Sequence, residues 1–328
     1  MNDRAVELLE QYDLEIVRTR KGRGSILVDT PQETYVFAEY SGTEEHLAAQ
    51  NRLLTLLSEK STLFSESIVS CREGTLSVKD QDEVRYTLKT WQEGRECNPE
   101  ERWDCLEAMG VLAELHNCLE SVAAEDEGLP SFAPGREYEK RNRELRRVRK
   151  YLKQRGSKQP FERILGKVCD DFSGQGERTA SEWEQVLAAG NPSGRRLCHG
   201  DFQYHNLVLT KKGWFLQNFE RCCLDSPVRD LSLFLRKILE KENWSVPLGR
   251  DLLAAYEEKR RMTNFDRMDL YYRLSYPEKF WKIANFYMNA SKSWIPGKNT
   301  AKLERVIAQE EQKQTFLQAV FHSEASFN

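Results

Sequence analysis

The sequence has no Cys-x-x-Cys pair and no His/Cys cluster at the spacing of a zinc site, although it carries eight cysteines. Positions 71, 97, 105, 118, 169, 198, 222 and 223 are too scattered for a redox motif, so they read as reduced, mostly buried thiols. The adjacent Cys222 and Cys223 point to different sides of an extended chain and do not favour a bridge. No run approaches the roughly 18 apolar residues of a membrane span. Met1-Asn2-Asp3-Arg4 leads into a polar stretch with no apolar h-region, so cytoplasmic synthesis and no membrane partner are expected. Neither sign of charge dominates: 49 Lys plus Arg against 52 Asp plus Glu leave a net charge of -3. No global field therefore favours nucleic acid, which is not expected as a partner.

Apolar residues are few, at 39%, but 15 Phe, 12 Tyr and 7 Trp supply large buried area per side chain and argue for a folded, aromatic-rich core. A length of 328 residues exceeds what one core usually organises. From Tyr12 to Trp91 the pattern is that of antiparallel strands. Glu15-Ile16-Val17, Ser25-Ile26-Leu27-Val28 and Thr34-Tyr35-Val36-Phe37 are short β-formers, separated by the turn signals Lys21-Gly22-Arg23-Gly24 and Asp29-Thr30-Pro31. A helix with Leu47, Leu53, Leu54 and Leu57 spans 44–58, and 84–91 alternates as a strand. After Gly94 the character turns helical. Leu106, Met109, Leu112, Ala113, His116 and Leu119 form one stripe over 99–120, with His116 read as a core histidine. Residues 136–155 carry ten Lys or Arg above a narrow apolar edge of Leu145, Val148, Tyr151 and Leu152. That segment reads as a solvated helix, with docking of an anionic partner as the sharper alternative. Residues 156–160 and 172–180 read as loops, and the chain from Leu231 onward as helices ending in a polar tail.

The chemistry concentrates in His199-Gly200-Asp201-Phe202-Gln203-Tyr204-His205-Asn206, followed by the strand Leu207-Val208-Leu209. In phosphoryl transfer an aspartate orients the attacking hydroxyl, and an amide five residues later on the same loop holds a metal ion that bridges the phosphates. Lys211-Lys212-Gly213 then turns the chain into Trp214-Phe215-Leu216, a hairpin suited to a second metal ligand. Gly-Asp alone is ordinary turn chemistry. The loop, the hairpin and Asp225-Ser226-Pro227-Val228-Arg229-Asp230-Leu231, arriving in order, are far more specific. Asp230 stands where a helix should begin and reads as its N-cap and as a brace for the loop. His205 either orients the loop or faces a ligand.

With these motifs the sequence resembles the spore coat protein CotS family, a branch of the aminoglycoside and choline phosphotransferase-like kinases. The resemblance is carried further by Val36-Phe37-Ala38-Glu39-Tyr40-Ser41-Gly42, by Trp91-Gln92-Glu93-Gly94-Arg95-Glu96-Cys97, by Arg236-Lys237 after the Ser226–Leu231 stretch, and by Tyr276-Pro277-Glu278-Lys279-Phe280-Trp281-Lys282. It implies an α+β, two-lobed protein kinase-like fold: a small antiparallel β-sheet N-lobe over 1–93 and a larger, mainly helical C-lobe over 94–328. The catalytic-type loop is 199–206 and the metal-type hairpin 207–220. Asp201 takes the place of the base, and Asn206 that of the metal-side amide. ATP and magnesium are the implied cofactors, with Ala38, Trp91 and Gly94 on the nucleotide side.

Against that pattern the sequence is missing two charges. The phosphate-binding lysine of the third strand falls at Ala38, and its helix partner near the neutral Gln50. The magnesium-binding aspartate falls at Asn218, whose amide lacks the full charge a hard divalent cation requires. Glu220, two residues on, would share a side with Asn218 in an extended strand and reach the metal in its stead. Loss of both charges removes the electrostatic stabilisation on which this reaction class depends. Lys21-Gly22-Arg23-Gly24 is a hairpin turn more simply than a phosphate loop. Tyr271, Tyr272, Tyr276, Phe280, Trp281, Phe286, Tyr287 and Trp294 read as core packing, or as an aromatic groove flanked by Lys279 and Lys282.

The expected function is thus that of a spore coat-associated pseudokinase acting by binding, with coat proteins or a small hydroxylated ligand as partners and the spore coat as its place. An active ATP-dependent phosphotransferase on a small hydroxylated molecule stays open as the rival, with Arg18, Arg20 or Lys21 reaching inward as the relocated cation. Nucleotide binding without chemistry, as a latch between lobes, is the third reading.

Overall fold

The computed structural model describes residues 4–22, 24–120, 128–156, 159–190, 194–290 and 297–322. Residues 1–3, Arg23, Ser157 and Lys158 of the expected 156–160 loop, Trp294 and the tail after 322, all of which enter the sequence reading, lie outside them. The chain divides into two compact units, Met1–Pro130 with Arg196–Leu224, and Ser131–Arg195 with Asp225–Asn328. This division differs from a cut at 93/94, because the helix over 102–120 and the segment 196–224 group with the sheet.

In the first unit a short turn of helix α1 (Arg4–Glu7) precedes strands β1 (Arg18–Lys21), β2 (Ile26–Asp29) and β3 (Thr34–Glu39), then helix α2 (Glu44–Lys60). Short strands β4 (Phe64–Ser65), β5 (Ile68–Val69) and β6 (Val78–Lys79) lead to β7 (Arg85–Trp91) and β8 (Arg95–Glu96), and helix α3 spans Arg102–Glu120. The order β1-β2-β3-β7-β5 forms an antiparallel sheet, with β6 also on β7. After β9 (Arg196–Cys198) the hairpin β10 (Leu207–Thr210) and β11 (Gly213–Leu216) joins β4 and β8 in a second sheet, and β12 (Cys223–Asp225) pairs with β9.

The alternation of β3 and β7 decides which side chains enter the core. Phe37 lies opposite Leu88 in the register, and both are fully buried with Leu9, Tyr12 and Val28. Phe37 also stacks on Tyr86 at 5.3 Å. The intervening residues Val36, Ala38, Thr87 and Lys89 take the other face. The first strand begins later than expected. Gly22 N–H donates to Ser25 O at 2.8 Å and closes the β1–β2 turn, with Gly24 at φ +74°. Counting back from that turn pairs Arg18–Lys21 with Ile26–Asp29, and β2 ends there before the Thr30-Pro31 turn. Glu15–Val17 run past the end of the partner strand, which leaves Val17 exposed.

The second unit consists of helices α4 (Pro134–Gln154), α5 (Pro160–Ala189), α6 (Val228–Leu239), α7 (Val246–Glu257), α8 (Asn264–Ser275), α9 (Glu278–Asn289), α10 (Gly297–Ala308) and α11 (Glu310–Leu317). The loop expected at 172–180 is the middle of α5. Gly174 and Gly176 suggested a break, but the apolar stripe Leu165, Cys169, Phe172, Gly176, Thr179, Trp183 runs through them at helical spacing and is buried. Gly176 is a packing residue, since a Cβ there would stand 2.7 Å from Asn142 Oδ1. Asn142 Nδ2 donates to Gly176 O at 3.0 Å and Tyr276 Oη donates to Asn142 Oδ1 at 2.9 Å, so one buried amide ties α4 to α5 and to the end of α8. Tyr276→Phe should leave that oxygen unpaired and lower stability by about 1–2 kcal/mol in urea unfolding.

The basic helix is largely neutralised within the unit. Arg146 pairs with Glu177, Arg149 and Lys153 with Asp170, Arg155 with Glu162, and Arg141 with Glu278. Its inner edge, Leu145, Val148 and Leu152, packs on Leu165, Cys169, Phe280 and Tyr287. Tyr276, Phe280 and Tyr287 are core residues, whereas Phe286 is exposed. Asp230 is not the N-cap of α6. The helix starts at Val228 with Pro227 before it, which puts Asp230, fully buried, inside the first turn. None of the eight cysteines is in a disulfide, and all but Cys118 are buried.

Candidate functional site

The loop 199–206 is shaped by two of its residues. Gly200 has φ +78°, and a Cβ there would overlap the Arg221 carbonyl, so only glycine lets the loop lie against the 219–221 turn. His199 is fully buried. Its Nδ1 accepts from Asp201 N–H at 3.3 Å, which leaves Nε2 as the donor to Gln217 O at 3.2 Å, and its ring lies 4.2 Å from that of Phe219. The histidine thereby ties the loop to the end of β11. Asp201 is half-buried and accepts from Gln203 Nε2 at 3.0 Å. Asn206 is buried and donates through Nδ2 to Asp201 O at 2.8 Å.

Across the hairpin, Asn218 turns its amide onto Asn206, with Nδ2 donating to Asn206 Oδ1 at 2.8 Å. Asn218 itself is left-handed (φ 65°, ψ 54°) and is followed by a 3₁₀ turn over Phe219–Arg221. The backbone here is not the extended strand that would put Glu220 beside Asn218. Glu220 is carried away to Lys89, whose Nζ donates to its Oε1 at 2.5 Å.

Lys89 is the residue that sequence reasoning passed over. It stands opposite Val36 in the β3–β7 register, two pairs along from Ala38 opposite Thr87, and so on the same face of the sheet as Ala38. Its side chain is 4% exposed and pairs with Glu220 and, at 3.5 Å, with Glu66. Burial alone would discharge it, but the two carboxylates outweigh burial and hold its pKa above the ordinary lysine value. Glu66, only 2% exposed, accepts the backbone N–H of Asn218 at 2.9 Å and of Phe219 at 3.0 Å. A lysine–carboxylate pair thus exists on this face, built from β7 and the β4–β5 link instead of β3 and α2. Gln50 is fully buried on α2, and among the described residues its amide has no hydrogen-bond partner. Arg18 and Arg20 do not supply the cation. Both are committed to Asp29, at 2.6 and 2.8 Å, and Lys21 is exposed.

The Trp91–Cys97 stretch is an anchor. Gly94 presses on β10 so closely that a Cβ would overlap Leu209 O. Arg95 clamps Asp104 at the start of α3 through both guanidinium nitrogens, and this holds the buried carboxyl below the usual aspartate range. Glu96 meets His205 Nδ1 at 2.5 Å, and Cys97 N–H donates to Leu207 O at 2.9 Å. His205, exposed and bound to Glu96, ties the loop to β8. Trp91 is half-buried, with the Arg20 guanidinium 6.0 Å over its ring.

A divalent cation needs several anionic oxygens free to converge. Here Asn206 Oδ1 accepts from Asn218 Nδ2, the Asn206 amide nitrogen donates to Asp201 O and the Glu220 carboxylate is on Lys89, so the positions expected to hold magnesium offer neutral amides and no free carboxylate, a donor set that does not fit the ion. Among the described residues no group of three or more His, Cys, Asp or Glu is arranged to hold a metal ion. No described helix is long and apolar enough to cross a membrane.

Sheet, loop and hairpin together define a protein of the aminoglycoside phosphotransferase-like kinase fold. Its structure matches an aminoglycoside phosphotransferase from Alicyclobacillus acidocaldarius with a TM-score of 0.81 at 19% identity, over 96% of this chain and 94% of that one. It matches a spectinomycin phosphotransferase in complex with ADP and spectinomycin at a TM-score of 0.66 and 14% identity, over 94% and 97%. The profile of the family described as "Spore coat putative kinase YutH" matches residues 5–320, and the chain belongs to that family. Spore coat protein S of Bacillus subtilis (strain 168) is 30% identical over 122 residues, which span 37% of this chain and 35% of that protein. The expected α+β kinase-like fold, with its N-terminal antiparallel sheet and helical C-terminal part, and the spore coat resemblance are both borne out.

Proposed function

We propose that this chain is a kinase-fold protein of the spore coat that acts by binding, not by phosphoryl transfer, and that it is made in the cytoplasm and taken into the coat. The observation that carries the reading is the Asn218–Asn206 amide pair, 2.8 Å long. It joins the two positions that should converge on magnesium and offers neutral groups where the reaction requires charge. Asp201 and Asn206 then serve as loop architecture, and coat proteins or a small hydroxylated molecule are the partners. With ATP, magnesium and a panel of hydroxylated sugars, aminoglycosides and choline-like alcohols, labelled phosphate transfer should not rise above that of Asp201→Ala. Transfer that Asp201→Ala abolishes would overturn the proposal.

One observation favours the rival, an active phosphotransferase with Asp201 as base and ATP and magnesium as cofactors. Lys89 restores a cation to the face that Ala38 leaves bare. The transfer assay separates the two readings, as does the response to magnesium: strong, metal-dependent stabilisation by ATP in a thermal melt supports the rival.

A further inference from the structure

The two carboxylates that flank Lys89 are not equivalent. Glu66 is buried, and its oxygens also receive the N–H groups of Asn218 and Phe219, so it is part of the framework. The Glu220 side chain is 42% exposed, and among the described residues its carboxylate pairs with Lys89 alone; its backbone carbonyl, not its carboxylate, is what His46 Nε2 meets at 3.0 Å. Lys89 with Glu66 is already neutral, so Glu220 is a surplus anion resting on a buried cation. Taking Glu220 off Lys89 leaves the framework hydrogen bonds of Glu66 in place and opens one strong anion-acceptor position on the Ala38 face.

We infer that Lys89 is the phosphate-contacting cation of this cleft, moved from β3 to β7, and that the Glu220 carboxylate occupies the position of an incoming phosphate, so that a nucleoside diphosphate binds by displacing Glu220. The inference rests on reading the cleft as a binding site without transfer chemistry, and it names what the site binds. Exchange of one anion for another keeps the buried ammonium paired throughout, which a bare vacancy would not. The competitor is intramolecular and permanently at hand, so it raises the apparent dissociation constant of the incoming phosphate by a fixed factor.

The test is titration of the full chain with ADP in EDTA, followed by calorimetry, for the wild type, Glu220→Gln and Lys89→Met. Glu220→Gln removes the competing charge from a partly exposed side chain and should tighten ADP binding by about tenfold. Lys89→Met should abolish it. If Lys89→Met fails to fold, Glu220→Gln still decides: unchanged or weaker ADP binding in that variant overturns the inference. Inorganic pyrophosphate is titrated in parallel, and affinity equal to that of ADP overturns the nucleotide assignment. Phosphate transfer from ATP would defeat the proposed function but leave this inference standing, whereas indifference of ADP to residues 89 and 220 would do the reverse.

Discussion

Glu278→Ala is expected to destabilise the helical unit by about 3–5 kcal/mol, read as a fall in the urea midpoint followed by tryptophan fluorescence. The carboxylate is 13% exposed and lies among three cations: Arg141 at 2.7 Å, Lys282 at 2.9 Å and Arg236 at 4.0 Å. Arg236 is itself buried on α6 and shares Glu240 with Lys279, at 2.7 and 3.1 Å. Removal of Glu278 leaves Arg141 and Arg236 short of a countercharge in a low-dielectric setting, where the loss of one partner costs far more than the pair is worth. The Arg141 guanidinium also lies 4.7 Å over the Trp281 ring, so the same variant should change the native tryptophan emission.

The charge state of Glu278 gives this unit an acid limit. Burial acts to raise its pKa, but Arg141, Arg236 and Lys282 outweigh burial and hold it well below the ordinary glutamate value of 4.5. Glu240 is depressed for the same reason by Arg236 and Lys279. A carboxyl depressed in the folded state contributes stability that is fully present above its unfolded pKa and lost as the pH falls through the folded one. Stability should therefore decline from about pH 4.5 downward, and Glu278→Gln should flatten that decline.

The ion network also brings together two distant stretches that carried the family resemblance. Arg236, downstream of Ser226–Leu231, and Glu278 with Lys279, inside Tyr276–Lys282, meet in it. The sequence displayed both stretches but not their meeting, because helix periodicity assigns a face and not a partner. The same limit accounts for the middle of α5. Gly174 and Gly176 look like breakers until Asn142 of α4 is seen to need the room at Gly176, a fact of packing and not of propensity.

At the candidate site, the loop and the hairpin were legible because each depends on chain order alone. Lys89 was not. Alternation within 84–91 puts it on the face of Thr87, but only the register Val36 opposite Lys89 brings it to the side of Ala38, and register depends on the turn and strand lengths between them. Glu66 was hidden for a further reason. It lies outside any periodic element, between two-residue strands, and owes its role to the backbone N–H groups of a turn 152 residues away. The placement of Glu220 beside Asn218 failed because it assumed an extended backbone where Asn218 is left-handed.

Asn218→Asp should turn a protein indifferent to magnesium into one that it stabilises. Without metal the new carboxylate cannot donate to Asn206 Oδ1, which loses its 2.8 Å bond, while the Asn206 amide is already committed to Asp201 O. Two acceptors would then face each other, a cost of about 1–3 kcal/mol. Magnesium reverses the sign. The carboxylate and the freed Asn206 oxygen become a pair of hard oxygen ligands, which suits an ion that takes one or two carboxylates and keeps its waters. A metal held at about a hundred times its dissociation constant adds close to 2.7 kcal/mol, enough to recover the loss. Thermal melts of wild type and variant, each in EDTA and in millimolar magnesium, check this directly. The variant should melt below the wild type in EDTA and regain the difference in magnesium, with the wild type unmoved. Equal response of both proteins to magnesium would mean that the Asn218–Asn206 pair is not what closes the cleft to metal.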